Sequence, residues 1–281
     1  MAGSSSIGKT IVLILLIAIL AIVAAGFSSW YFLIKKPYDN AVSAFNDAAA
    51  KVNEKNRELD EAINSAKEVL NTGSPVYDET TINDLTVAIS DANLAKREIP
   101  KLPDETENIV KATKELSDPL DYSDVISNID IKKKALENSV KQMMQITNPS
   151  GDFIIQRLQG IEGISSCQAV TEDHDPNGML NKQGGYTSAT YFSSPWINQD
   201  EVYGNDVVDK GTECGGGIEV YPTVEDAEKR NLYLSSFDGS GFLNPGSHVV
   251  LGTIVIRTSS KLTATQQNDL TQKIVCRLLS L

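Results

Sequence analysis

The residues with the sharpest chemical signature lie together, in the run Asp173-His174-Asp175-Pro176-Asn177-Gly178. Oxygen-bearing side chains at positions 1, 3 and 5, with glycine at 6, form the first half of a calcium loop. Asp173, Asp175 and Asn177 would supply ligands, joined by the Met179 carbonyl at position 7 and the Asn181 side chain at position 9. Position 12 is Gly184, where such a loop carries a bidentate glutamate, so calcium held here is expected to bind weakly. No other cofactor is expected. The same residue types also build a polar hairpin loop.

Nucleophilic chemistry has less to work with. Of the two histidines, His174 and His248, neither lies in a G-x-S-x-G motif. Cys167, Cys214 and Cys276 lack CxxC spacing, so a zinc site is not expected. They read as one disulfide plus a leftover thiol in an oxidising compartment, or as three small core residues. Cys214 with His248 as base would make a thiol enzyme. Glu213 and Glu219 would make a carboxylate pair, although each is equally an ordinary strand-flanking charge. Gly215-Gly216-Gly217 precedes a strand instead of opening a helix, so it lacks the phosphate-binding context. No convergent catalytic set emerges, and an enzyme is not expected; a cell-envelope hydrolase or thiol enzyme is the alternative. Tyr186, Tyr191, Trp196 and Tyr203, around the 193–215 loop, read as a binding surface or as core packing.

Charge narrows the partners. The chain carries a formal net charge of −12. Residues 37–149 hold 13 basic and 21 acidic side chains, and residues 150–281 hold 9 and 16. Both stretches repel phosphate backbones, so nucleic acid is not an expected partner.

A membrane is. Residues 10–34 read TIVLILLIAILAIVAAGFSSWYFLI without one charge. As a helix this run spans roughly 37 Å, more than the ~30 Å of a bilayer's hydrocarbon core. Trp30 and Tyr31 sit at its interfacial end, and Lys35 and Lys36 close it. The apolar run continues past Val23-Ala24-Ala25, the one segment resembling a cleavage site, which favours a retained signal anchor over residues 1–36. Lys35, Lys36, Lys51, Lys55 and Arg57 would by charge keep the body in the cytoplasm, whereas a short basic amino-terminal tail is the usual form of an anchor that exports the chain beyond it.

Residues 37–148 carry helical periodicity. Tyr38, Val42, Phe45, Ala49, Val52, Asn56, Leu59, Ile63, Ala66 and Leu70 keep a 3-4 spacing whose one polar member, Asn56, could fix register. Asn71-Thr72-Gly73-Ser74-Pro75 ends this helix, and a second begins after Asp78 with Ile82, Leu85, Ile89 and Ala92 on one stripe. A third starts near Asp104, is interrupted at Pro119, and resumes through Ile129, Leu136, Val140 and Met143. One apolar stripe cannot be buried alone, so an antiparallel three-helix coiled-coil-like stalk is expected. Within it, residues 66–96 (AKEVLNTGSPVYDETTINDLTVAISDANLAK) resemble the FIVAR helical modules of Gram-positive surface proteins. The shared elements are Leu70-Asn71, the turn through Pro75, and Ala88, Ala92 and Ala95. The resemblance implies a surface-exposed spacer or adhesive stalk and favours a body outside the cell.

After Asn148-Pro149-Ser150-Gly151 the periodicity shortens. A short helix (153–159) is followed by strands at 164–171, 186–192, 218–221 and 249–258. Thr223 with Asp226 caps a helix over 224–237, and Thr263 with Gln266 caps a last one with Leu270, Ile274 and Leu278 facing inward. Residues 149–281 are therefore expected to form an α+β layer domain, with helices on one face of a four-stranded sheet. The runs IEVY (218–221), TVEDAEKR (223–230) and GTIVIRTSSKLT (252–263) resemble the exported domains of uncharacterised membrane-anchored proteins of Gram-positive bacteria. The combined expectation is a single-pass membrane protein displaying an extracellular interaction domain toward a protein or cell-wall ligand. A calcium-dependent binding module is a further alternative.

Overall fold

The computed structural model describes residues 4–241 and 244–281; the first three residues of the expected anchor lie outside the described residues. The chain divides into two compact units, one of residues 1–71 and 84–133, the other of residues 72–83 and 134–281.

In the first unit α1 (Ser4–Trp30) passes through one π-helical turn, Tyr31–Lys35, into α2 (Lys36–Asn71). The Lys36 N–H donates to the Tyr31 carbonyl in that turn. Such a bulge adds one residue to a helical turn and rotates every later side chain about the axis. It falls where the uncharged run ends, so the helix presents a different face from Lys36 onward. The run from Lys9 to Asn71 is one continuous helix, long and apolar enough near its start to cross a membrane, and none of that apolar window is buried within the protein.

Beyond the bulge, burial follows the 3-4 spacing: Phe45, Val52, Leu59, Ile63 and Ala66 are all buried. Phe45 and Val52 pack with Ile109 and Leu116 of α4 (Thr106–Leu116). The remaining helices are α3 (Thr80–Ala95) and α5 (Ser123–Gln145). Four helices thus stand in place of the expected three. Pro119, which lacks a backbone N–H, lies in a non-helical stretch between α4 and α5, and the Arg97 guanidinium grips that stretch through the Asp118 and Pro119 carbonyls. Ile82 also departs from its expected stripe and is exposed, its place near the core taken by Thr81.

Asn56, the polar member of the stripe, is fully used. Its Nδ2 donates to the Arg97 carbonyl (2.9 Å) and its Oδ1 accepts from the Tyr122 hydroxyl (2.8 Å), which in turn accepts from the Arg97 N–H (2.7 Å). One side chain thereby pins two inter-helix connections to α2.

The second unit holds an antiparallel five-stranded sheet in the order β1-β2-β3-β5-β4. Its strands are β1 (Ser166–Ala169), β2 (Ser188–Ser193), β3 (Gly215–Val220), β4 (Ser247–Leu251) and β5 (Ile254–Thr258). The expected fourth strand, 249–258, is a hairpin of two. Gly252, at φ +59°, reverses the chain inside an apolar run that carries no other turn residue. The hairpin tip is bound to the end of α5, since the Thr253 N–H donates to the Ile146 carbonyl (3.0 Å) and the Thr253 hydroxyl accepts from the Asn148 N–H (2.6 Å).

Helices cover both faces, not one. Phe192, Ile218, Val220, Ile254 and Ile256 pack on one side with α6 (Gly151–Leu158) and α9 (Ala264–Leu279), whose Leu270, Ile274 and Leu278 are fully buried. Tyr191, Tyr221 and Val255 face the other side, with α8 (Val224–Ser235) and the short α7 (Val207–Lys210). Thr263 and Gln266 form a reciprocal capping box on α9, and the Thr223 hydroxyl caps α8 through the Asp226 N–H.

Candidate binding site

The three glycines, expected to precede a strand, form the first half of β3 itself. Gly216 pairs with Phe192 and Thr258, and Gly217 with Tyr191 and Arg257. A Cβ on Gly217 would come within 2.8 Å of the Tyr191 ring. Glycine here lets that aromatic ring lie flat over the strand and leaves the sheet's surface low at its centre.

Strand alternation puts Glu219 on the same face, next in line, and its side chain is only 1% exposed. Arg230 of α8 binds the carboxylate with both Nε (2.8 Å) and Nη2 (2.9 Å). Arg257 of β5 adds Nη1 (2.9 Å) and Tyr221 its hydroxyl (2.9 Å). Burial by itself would raise the Glu219 pKa; the Arg230 hydrogen bonds and the charges of Arg257 and Arg230 outweigh it and hold the group ionised, below its ordinary value. Two guanidinium groups thus share one buried carboxylate, leaving a positive excess. The Arg257 Nε–H is buried without an acceptor among the described residues.

Beside the Tyr191 ring opens a cleft of about 440 Å³, lined by Asn177, Tyr191, Lys210, Arg230, Tyr233 and Arg257 among others. Three of the nine basic side chains of residues 150–281 line it, against one carboxylate on its wall, Glu213, which pairs outward with Lys261 (3.6 Å). Lys210 Nζ is held by the Gln199 carbonyl (2.9 Å). The Arg230 guanidinium lies over the Tyr233 ring, 5.6 Å from its centroid. An electropositive cleft in an acidic domain suits an anion.

The 171–187 loop forms one wall. Asp175 accepts from the N–H groups of Asn177 (3.0 Å), Met179 (2.6 Å) and Leu180 (2.8 Å) and from the Tyr186 hydroxyl (2.5 Å). These four donors take up the acceptor positions of one carboxylate, so a cation at Asp175 would have to displace them. Asn177 donates to the Tyr191 hydroxyl (2.9 Å), and Asn181, at φ +59°, donates to Glu172 (2.8 Å). Asp173 has no hydrogen-bond or ion-pair partner in common with Asp175, Asn177 or Asn181 among the described residues. His174, between them, instead turns to α7, with Nε2 2.8 Å from Asp209 and Nδ1 3.7 Å from Asp206. Its pKa is raised by the Asp209 hydrogen bond and, against some desolvation, by the charge of Asp206.

Cys214 and His248 are not brought together. The Cys214 thiol is buried in the core beneath α6 and α9, and burial pushes it up to about 11. His248 faces α8, bonded to Asn231 (2.6 Å) and Asp238 (3.2 Å). Among the expected surface aromatics, Tyr186 and Tyr191 are buried and Trp196 and Tyr203 exposed. All three cysteines are free thiols, buried at 214, half-buried at 167 and exposed at 276.

Sequence reasoning passed over Arg230, Arg257 and Lys210. One signal was available: Glu219 and Arg257 each interrupt an apolar strand at a position that must face inward or lie under a helix, and buried opposite charges call for each other. Neither a family model, a curated protein sequence nor a solved structure matches the chain.

Proposed function

We propose that this chain is a single-pass membrane-anchored surface protein whose helical segment displays an extracellular α+β binding domain, acting by recognition and not by catalysis. The observation that carries the reading is the continuous helix from Lys9 to Asn71, whose apolar first part has no covering protein and whose later part has a buried stripe. An apolar surface that extensive needs lipid around it. The resemblance of residues 66–96 to FIVAR modules, and of residues 218–263 to exported domains of Gram-positive bacteria, supports the outside location. For recognition, the support is the polar cleft lined by Arg230 and Arg257 and the separation of Cys214 from His248. Protease shaving of intact cells is the test. Release of peptides from residues 37–281 is expected, and their protection until lysis would contradict the display reading.

A further inference from the structure

We propose that the cleft between Tyr191 and Tyr233 is a carboxylate-binding site, in which Arg257 and Arg230 hold the carboxylate of a small ligand or of a peptide's C-terminus. The inference rests on reading the domain as a binding module, but not on which side of the membrane it lies.

Three observations converge. The first is charge. Arg230 and Arg257 flank a single buried carboxylate, Glu219, and Lys210 adds a third cation on the same cleft. A buried excess of positive charge is stabilised by an anion entering from solvent. The second is an open donor. Arg257 gives Nη1 to Glu219, while its Nε–H has no acceptor among the described residues, and a carboxylate oxygen would supply one. Arginine's planar fork suits a planar carboxylate better than it suits a spherical ion. The third is shape. Gly217 leaves room for the Tyr191 ring, which lines the cleft, and the ring of Tyr233, stacked with Arg230, offers an apolar wall for the part of a ligand next to its carboxylate. The volume of about 440 Å³ falls in the range of small-molecule sites.

The test uses the full chain in nanodiscs, with nitrogen-15 at arginine Nε. The chain has six arginines, so lysine variants at Arg57, Arg97, Arg157 and Arg277 assign four signals and leave Arg230 and Arg257. Acetate and N-acetylglycinate are titrated to about 50 mM, with inorganic phosphate and chloride run at matched ionic strength to separate binding from screening. The expected result is a saturable movement of the Arg257 and Arg230 signals with carboxylates, at least about tenfold weaker with chloride, while the other four stay still. Lys210→Ala is expected to weaken the response on the order of threefold, because it removes one cation from the cleft without touching the Glu219 cluster. Movement with phosphate alone would overturn the carboxylate assignment. Equal drift of all six signals, or none, would overturn the site. Either failure leaves the shaving result untouched, so this inference and the display reading fall separately.

Discussion

Replacing Glu219 with glutamine tests whether the buried cluster organises the second unit. The amide keeps the shape of the side chain but removes the one carboxylate paired with Arg230 and Arg257 among the described residues. Because Glu219 is 1% exposed and the arginines are 23% and 11% exposed, solvent screens this loss poorly. Breaking a buried pair by removing one partner costs about 3–5 kcal/mol, since the remaining charge is left without its counterion. At about 2–4 °C per kcal/mol for a domain of 150–250 residues, the melting midpoint should fall by about 6–20 °C. Trp196 lies in this unit, so its fluorescence in a Trp30→Phe background reports the melt. Acid should produce the same loss in the unsubstituted protein. With the Glu219 pKa held below its ordinary value, the contribution is present above the unfolded value of about 4.3 and disappears as pH falls through the folded one. A Glu219→Gln protein melting within about 2 °C of the parent would refute the reasoning, because a residual effect that small matches a solvated surface pair.

Three more outcomes are expected from the geometry. Asn56→Leu should destabilise the helical unit by about 1–3 kcal/mol, measured by denaturant unfolding tracked by circular dichroism, because the Arg97 carbonyl and the Tyr122 hydroxyl lose a shared partner. Alkylation of the native protein should modify Cys276 rapidly and leave Cys214 and Cys167 slow, the last two being buried or half-buried with thiols pushed up to about 11; equal rates in mass spectrometry would contradict this. The His174 ring should titrate by nuclear magnetic resonance above 6.5, and Asp209→Asn should lower it. Since the folded value is raised, the His174 tether to α7 is complete below about 6.5 and loosens as pH rises through the folded value.

Where one physical signal dominated, the sequence was readable. The uncharged run before Lys35, the 3-4 spacing through Leu59 and Ile63, and the caps at Thr223 and Thr263 each reflect a local rule that tertiary contacts did not override. Reading failed where a single residue had two meanings. Gly252 lies in an apolar run that could pass straight through a sheet, and only the positive φ of the folded chain makes it a hairpin. Gly215, Gly216 and Gly217 read as preceding a strand instead of forming it, because their role depends on Phe192 and Tyr191, neighbours distant in sequence that fill the space above Gly216 and Gly217. The arginine cluster is hidden in the sequence for the same reason: Arg230 and Arg257 come from different elements and meet only at Glu219. At the 173–181 loop the residue types alone suggest metal ligands, whereas Asp175 is committed to the turn's own N–H groups and His174 to α7.

A body standing outside the cell on a membrane anchor can be tested directly, because Cys276 supplies a reporter. This thiol is exposed, so a membrane-impermeant maleimide added to intact cells can reach it if the body is displayed. Mass spectrometry is then expected to find the Cys276 peptide modified in intact cells and in membranes that retain the full chain. Modification only after the cells are permeabilised would place the body in the cytoplasm and contradict surface display.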